Sequence, residues 1–149
     1  MKKRYEKFSL QLVKEDGAKY DSKMTNPYLA KKAFTDIFNI NNQAEEVFCL
    51  ITVDTSARIS GAFEVSRGSL DKIAVPMREV FKRALLANAK GIFVAHNHPS
   101  GDISPSPEDK KITRRIKECC SILGITFSDH FIFGFDNENA LSFKEEGLV

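Results

Sequence analysis

The chain has 149 residues, 42% of them hydrophobic and 28% charged, with 22 basic residues against 20 acidic ones and a net charge of +2. That length carries one domain with a substantial core, and the composition excludes a disordered chain. The charge is too balanced to argue for nucleic-acid binding by bulk electrostatics, and no apolar run approaches the roughly 20 residues that span a bilayer.

The basic start, Met1-Lys2-Lys3-Arg4, leads into no hydrophobic signal core, so secretion is not expected and a cytoplasmic location is. Three cysteines, Cys49, Cys119 and Cys120, without Cys-x-x-Cys spacing, suit reduced, buried and inert thiols.

Phe8 to Val13 alternates apolar and polar residues and predicts a half-buried strand, followed by a polar stretch around Gly17. Asn26-Pro27 is a helix start, with Asn26 as N-cap; the helix runs to about Asn39 and turns Leu29, Ala33, Phe34, Ile37 and Phe38 inward. Ile40 to Gln43 connects it to Val47–Val53, an almost continuous apolar run that reads as a central strand covered on both faces. Asp54 to Ala57 turns the chain into a second strand, Arg58 to Val65, most simply as an antiparallel hairpin.

Pro76 opens an amphipathic helix to Asn88 with Val80, Phe81, Ala84 and Leu85 inward. Ile92 to Ala95 is a short buried strand that delivers His96 and His98. Pro107 to about Leu123 is a helix burying Ile112, Ile116, Cys119 and Cys120, and Gly124 ends it. Ile125 to Phe133 is a further strand, Gly134 to Asn139 a turn, and Ala140 to Phe143 a last short strand. Strands and helices alternate with hairpins mixed in, which predicts an α/β fold with a mixed sheet flanked by helices.

The chemistry concentrates in His96-Asn97-His98-Pro99-Ser100-Gly101-Asp102, followed by Ser106-Pro107-Glu108-Asp109. Two histidines two apart project to the same side of an extended chain. A stiff Pro/Ser/Gly loop can then return the Asp109 carboxylate to the same point. Three protein ligands with one position left for water is the pattern of a catalytic zinc site. Ser106-Pro107-Glu108-Asp109 also makes a good helix cap by itself, and Asp102 is a rival third ligand, although an aspartate there suits the turn. Contiguous His96-Asn97-His98 is not the dispersed motif of HNH nucleases, and Ser100-Gly101 breaks the binuclear His-x-His-x-Asp-His pattern, so one ion is expected rather than two.

His96-x-His98-Pro99 with Ser106 and Asp109 resembles the motif of the JAMM, MPN+ or JAB metalloprotease fold. The longer string from His96 to Asp109 resembles its bacterial RadC branch, as do Pro76 to Leu85 upstream and Leu123-Gly124-Ile125, Asp129-His130 and Gly134 downstream. The resemblance covers residues 42–149 as a RadC-like JAB/MPN+ domain, with residues 1–41 as an N-terminal strand and helix extension. It implies a three-layer arrangement of the cytidine-deaminase-like kind, one Zn2+ held by His96, His98 and Asp109, and a peptide or protein substrate cut at a peptide or isopeptide bond.

The resemblance also implies two catalytic residues. Glu46 would accept a proton from the attacking water and return it to the leaving amine, a task suited to a carboxylate in partly apolar surroundings; adjacent Glu45 is its rival. Ser106 would donate a hydrogen bond to the oxyanion. Asp129 and His130 are candidates for a supporting shell, and His130 reads equally as a buried histidine bonded to a carboxylate. RadC proteins are tied by name to DNA repair and mobile elements. The basic run Lys110-Lys111-x-x-Arg114-Arg115-x-Lys117 is the sole sequence support for nucleic acid as a partner, and the helix-hairpin-helix region that often precedes this domain is not expected here.

Overall fold

The computed structural model describes residues 4–15, 20–68, 75–135 and 140–149. Among these residues three helices and five strands occur in the order α1 (Pro27–Phe38), β1 (Glu46–Val53), β2 (Ile59–Gly68), α2 (Met77–Leu86), β3 (Gly91–His98), α3 (Pro107–Leu123), β4 (Thr126–Gly134) and β5 (Ala140–Ser142), with a 3₁₀ turn at Ile40–Asn42 after α1. The sheet order is β2-β1-β3-β4-β5. β1 pairs antiparallel with both β2 and β3, β3 pairs parallel with β4, and β4 pairs antiparallel with β5. The fold is therefore α/β with a mixed sheet, and β1–β2 is the expected hairpin.

Alternation along the central strands divides the core in two. Val47, Cys49, Ile51 and Val53 of β1 join Phe93, Ala95, Phe131 and Phe133 against Ala30, Ala33 and Phe34 of α1. Phe48, Leu50, Ile92 and Val94 face the other way, onto Val80, Phe81 and Ala84 of α2 and Ile116 and Cys120 of α3. One helix covers one face and two cover the other, and α1 shares the core of the sheet.

The helix boundaries follow local chemistry. Asn26 Oδ1 accepts the Leu29 N–H at 2.9 Å and Pro27 fills the first turn of α1. Gly124 ends α3 at φ 69°, the left-handed conformation that a Cβ disfavours. Cys49 and Cys120 are buried and Cys119 half-buried, all free, and burial pushes the thiols of Cys49 and Cys120 up to about 12.

Several local expectations are corrected. Residues 8–13 form no strand: they pair with no strand of the sheet, and Phe8 and Leu10 are 80% and 84% exposed. An alternating segment becomes a strand only when a neighbour supplies ladder partners, and residues 8–13 lie outside the five-stranded order β2-β1-β3-β4-β5. On α1, Ala30, Ala33 and Phe34 meet the sheet, leaving Ile37 exposed and Leu29 and Phe38 half-buried. Leu85 is exposed at the end of α2, and Ile112 and Cys119 are half-buried beside the fully covered Ile116 and Cys120. Gly17 and residues 136–139 of the expected turn lie outside the described residues.

Candidate metal centre

β3 ends at His98, so His96 and His98 emerge two residues apart on the face shared with α2 and α3. The chain then reverses: Gly101 takes φ 88° and its N–H bonds back to the His98 carbonyl at 3.0 Å. This turn rests against the end of β4 at Gly134, where an added Cβ would lie 2.9 Å from the Gly101 carbonyl oxygen. α3 starts with a reciprocal cap. Ser106 Oγ accepts the Asp109 N–H at 3.0 Å, and Asp109 Oδ2 accepts the Ser106 N–H at 2.9 Å.

That cap aims the Asp109 carboxylate at both imidazoles. His96 Nε2 lies 3.1 Å from Asp109 Oδ1, His98 Nε2 lies 3.2 Å from Asp109 Oδ2, and the two Nε2 atoms are 3.1 Å apart. Glu46 joins from the first position of β1: ligand atoms of Glu46, His96 and His98 all lie within 4.8 Å of one another. The His98 Nδ1–H donates to the Asp102 carbonyl at 2.7 Å, since a carbonyl can only accept. In its neutral form the lone pair of His98 is thus on Nε2, facing the cluster.

Lone pairs and carboxylate oxygens that meet without an intervening proton repel, and a cation removes the conflict. Donors about 2.0–2.2 Å from a tetrahedral ion sit about 3.3–3.6 Å apart, a few tenths of an ångström beyond the contacts here. The donor set therefore fits a divalent metal. With no metal, protons take its place: Asp109, and the bond that His98 donates to the Asp102 carbonyl, raise His98 above the ordinary histidine value despite desolvation. Burial alone would raise Asp109, but bonds from His96 and His98 outweigh it and hold the carboxyl well below the usual range.

Behind the cluster His130 is wholly buried, stacked on Phe143 at 4.7 Å. Burial, reinforced by His96, drives its pKa well below that of an ordinary histidine. Its ring nitrogens meet His96 Nδ1 at 2.8 Å and Thr113 Oγ1 at 2.7 Å, so its partners are a histidine and a hydroxyl rather than a carboxylate. Asp129 does not reach the cluster. It accepts the backbone N–H groups of His130 and Lys144 and the Ser142 hydroxyl, tying β5 and the chain beyond it to β4.

The rivals separate in space. The Glu45 carboxylate lies 3.7 Å from Arg67, toward β2, whereas Glu46 sits with the histidines. Asp102 Oδ1 accepts the Ser104 N–H at 2.9 Å and so serves its own turn. Two residues that the motif reading passed over also shape the site. Thr113 follows Asp109 by one helical turn, an i,i+4 spacing that marks a shared face. Asn97, between the histidines, points to the opposite face, where its Oδ1 accepts the Val47 N–H at 2.7 Å and its amide donates to the Gln43 and Glu45 carbonyls at 3.3 and 3.0 Å.

Among the described residues no helix is long and apolar enough to cross a membrane. The sequence profile of the RadC-like JAB domain matches residues 24–148. A UPF0758 protein of Clostridium beijerinckii is 42% identical over 130 residues, which is 87% of this chain and 55% of that protein. UPF0758 proteins of Thermotoga maritima and Clostridioides difficile are 41% and 39% identical, over 68% and 85% of this chain and 45% and 52% of their own lengths. The chain thus spans about half the length of the curated relatives it matches. With the profile covering most of the chain and relatives at this identity, the chain belongs to the RadC-like JAB domain family.

Proposed function

We propose that this domain is a zinc-dependent hydrolase of peptide or isopeptide bonds, with one zinc ion held by His96, His98 and Asp109. The observation that carries the reading is the convergence of two imidazole Nε2 atoms, 3.1 Å apart, on one carboxylate, with Glu46 alongside. Bound there, zinc supplies Lewis acidity and lowers the pKa of a coordinated water toward about 7.

The chain supplies the remaining chemistry. Glu46 is half-buried, so its carboxylate can meet a water at the cluster, take its proton as the scissile carbonyl is attacked, and return that proton to the departing amine. Ser106 Oγ already accepts a bond from the Asp109 N–H, which leaves its own proton uncommitted to that contact and available to the oxyanion. His98, with 18% of its side chain exposed, marks the solvent side of the cluster, and His96, at 4%, the protected side.

The test compares zinc content and cleavage of peptide and isopeptide-linked substrates in wild type, Glu46→Gln and His96→Ala. Wild type should hold about one zinc per chain and cleave. Glu46→Gln should keep the metal and lose activity, and His96→Ala should lose both. Equal activity in all three proteins would overturn the reading.

A second reading, nucleic-acid binding, rests on α3. Lys110, Lys111, Arg114, Arg115 and Lys117 are all exposed there, on the helix that carries Asp109, and none enters the ion pairs among the described residues. If those cations contact phosphates, affinity falls steeply from low to physiological salt. A flat salt response removes this reading.

A further inference from the structure

The chain of hydrogen bonds behind His96 has a single permitted direction. It starts at the Asp109 backbone carbonyl, which has no proton to give, so the Thr113 hydroxyl donates to it across 2.7 Å. Thr113 has one hydroxyl proton, now committed, so its Oγ1 accepts from His130, and the His130 Nδ1 bears the proton over 2.7 Å. The His130 ring lies between Phe143, stacked at 4.7 Å, and Phe48, edge-on at 5.8 Å, and neither ring nitrogen meets a carboxylate. A second proton there would be an uncompensated buried charge. His130 Nε2 is therefore bare and accepts from the His96 Nδ1–H across 2.8 Å.

We propose that Thr113 and His130 are positioning residues that hold a proton on His96 Nδ1, so that Nε2, which faces Asp109 in the metal-free chain, is the nitrogen presented to the metal cluster. The device joins the two ends of the site. It begins at the backbone of Asp109 and ends at His96, whose Nε2 lies 3.1 Å from the carboxylate of the same Asp109. Helix α3 and strands β3 and β4 each contribute one member, so the docking of α3 on the sheet, not the local chain, sets the tautomer. His98 has a shorter equivalent in the Asp102 carbonyl, on a loop. The two ligands thus differ: a buried three-residue relay orients His96, whereas a loop carbonyl orients His98.

The tautomer is a property of the metal-free chain. Its consequence for metal affinity rests on the reading of His96 as a ligand. The experiment is imidazole 15N NMR on the full metal-free chain at pH 8, for wild type, Thr113→Val and Thr113→Ser, followed by zinc affinity by chelator competition. In wild type His96 should carry a proton on Nδ1, whatever Nε2 shares with Asp109; a bare Nδ1 overturns the proposal, and this spectrum decides the point even if a variant fails to fold. Thr113→Val removes both the acceptor and the donor at nearly constant volume. It should give a mixed His96 tautomer and a zinc affinity about 10–100-fold weaker. Thr113→Ser restores the hydroxyl and should return both readouts to the wild-type values. If Thr113→Val scrambles the tautomer and zinc affinity does not move, the positioning role is overturned. If His96 is on Nδ1–H and even wild type binds no zinc, the tautomer device stands and the zinc-hydrolase reading fails.

Discussion

Asn97 Oδ1 accepts the backbone N–H of Val47 at 2.7 Å, immediately beyond the last ladder pair between β1 and β3, Phe48 with His96. The side chain continues the pairing where the backbone stops, and its amide holds the Gln43 and Glu45 carbonyls as well. Both chain neighbours of Glu46 are therefore pinned by the residue between the two histidines. Asn97→Ala leaves the Val47 N–H buried and unpaired, at a cost of about 1–3 kcal/mol. Amide exchange at Val47 should accelerate, and hydrolysis should fall with zinc affinity unchanged. Unaltered Val47 protection in the variant would show that the clamp is dispensable.

Ser106 carries a cap and, in the proposed reaction, an oxyanion donor, and two substitutions separate these roles. Ser106→Ala should cost about 1 kcal/mol of stability, while Ser106→Gly costs only a few tenths, because glycine is tolerated at an N-cap. Both lack the hydroxyl, so both should lose about 10²–10³ in turnover. Thermal unfolding and a cleavage assay read the two effects. If activity follows stability instead, Ser106 acts as a cap alone.

Gly134 lets the loop after His98 sit against β4. A Cβ there would meet the Gly101 carbonyl oxygen at 2.9 Å and Ile103 Cγ2 at 3.2 Å, and the first of these is backbone that cannot swing aside. Gly134→Ala should lift the loop, weaken the Asp102–His98 bond and lower zinc affinity, with about 1–3 kcal/mol of destabilisation. Gly124→Ala is the control. Its Cβ meets nothing within 4 Å, yet its φ of 69° makes it strained, so it should lose stability and keep zinc affinity.

The metal-free fold has a pH dependence set by the His98–Asp109 contact. The pKa of His98 is raised from 6.5, so its contribution is complete below that value and is lost as pH climbs through the raised one. Asp109 is lowered from 3.8, so its contribution is present above that value and is lost as pH falls through the lowered one. In chelator, the stability difference between wild type and His98→Gln should be greatest in the mildly acidic range and shrink above neutral pH. With zinc the trend reverses, because the metal needs an unprotonated imidazole. Urea unfolding across pH, with and without zinc, measures both. A chelated difference that widens toward pH 9 contradicts this account.

The helices were largely legible because their boundaries are local chemistry: Asn26-Pro27 and Ser106-Pro107 open α1 and α3, and Gly124 closes α3. The sheet was legible through its apolar runs, and misleading at residues 8–13, where alternation alone could not supply a pairing partner. The inward faces of α1 and α2 were overestimated at Ile37 and Leu85, because an apolar stripe does not say how much of it the sheet can cover.

By itself the sequence determined a motif: His96-x-His98 at a strand end, a stiff turn, and a capped Asp109, each dictated by neighbours within a few residues. Tertiary structure decided what completes it. Glu46 rather than Glu45 reaches the histidines, and His130 bonds to His96 and Thr113 in place of a carboxylate. Those outcomes depend on strand register and on how α3 docks on the sheet. They join residues 17, 34 or about 50 positions apart, beyond the reach of any local pattern.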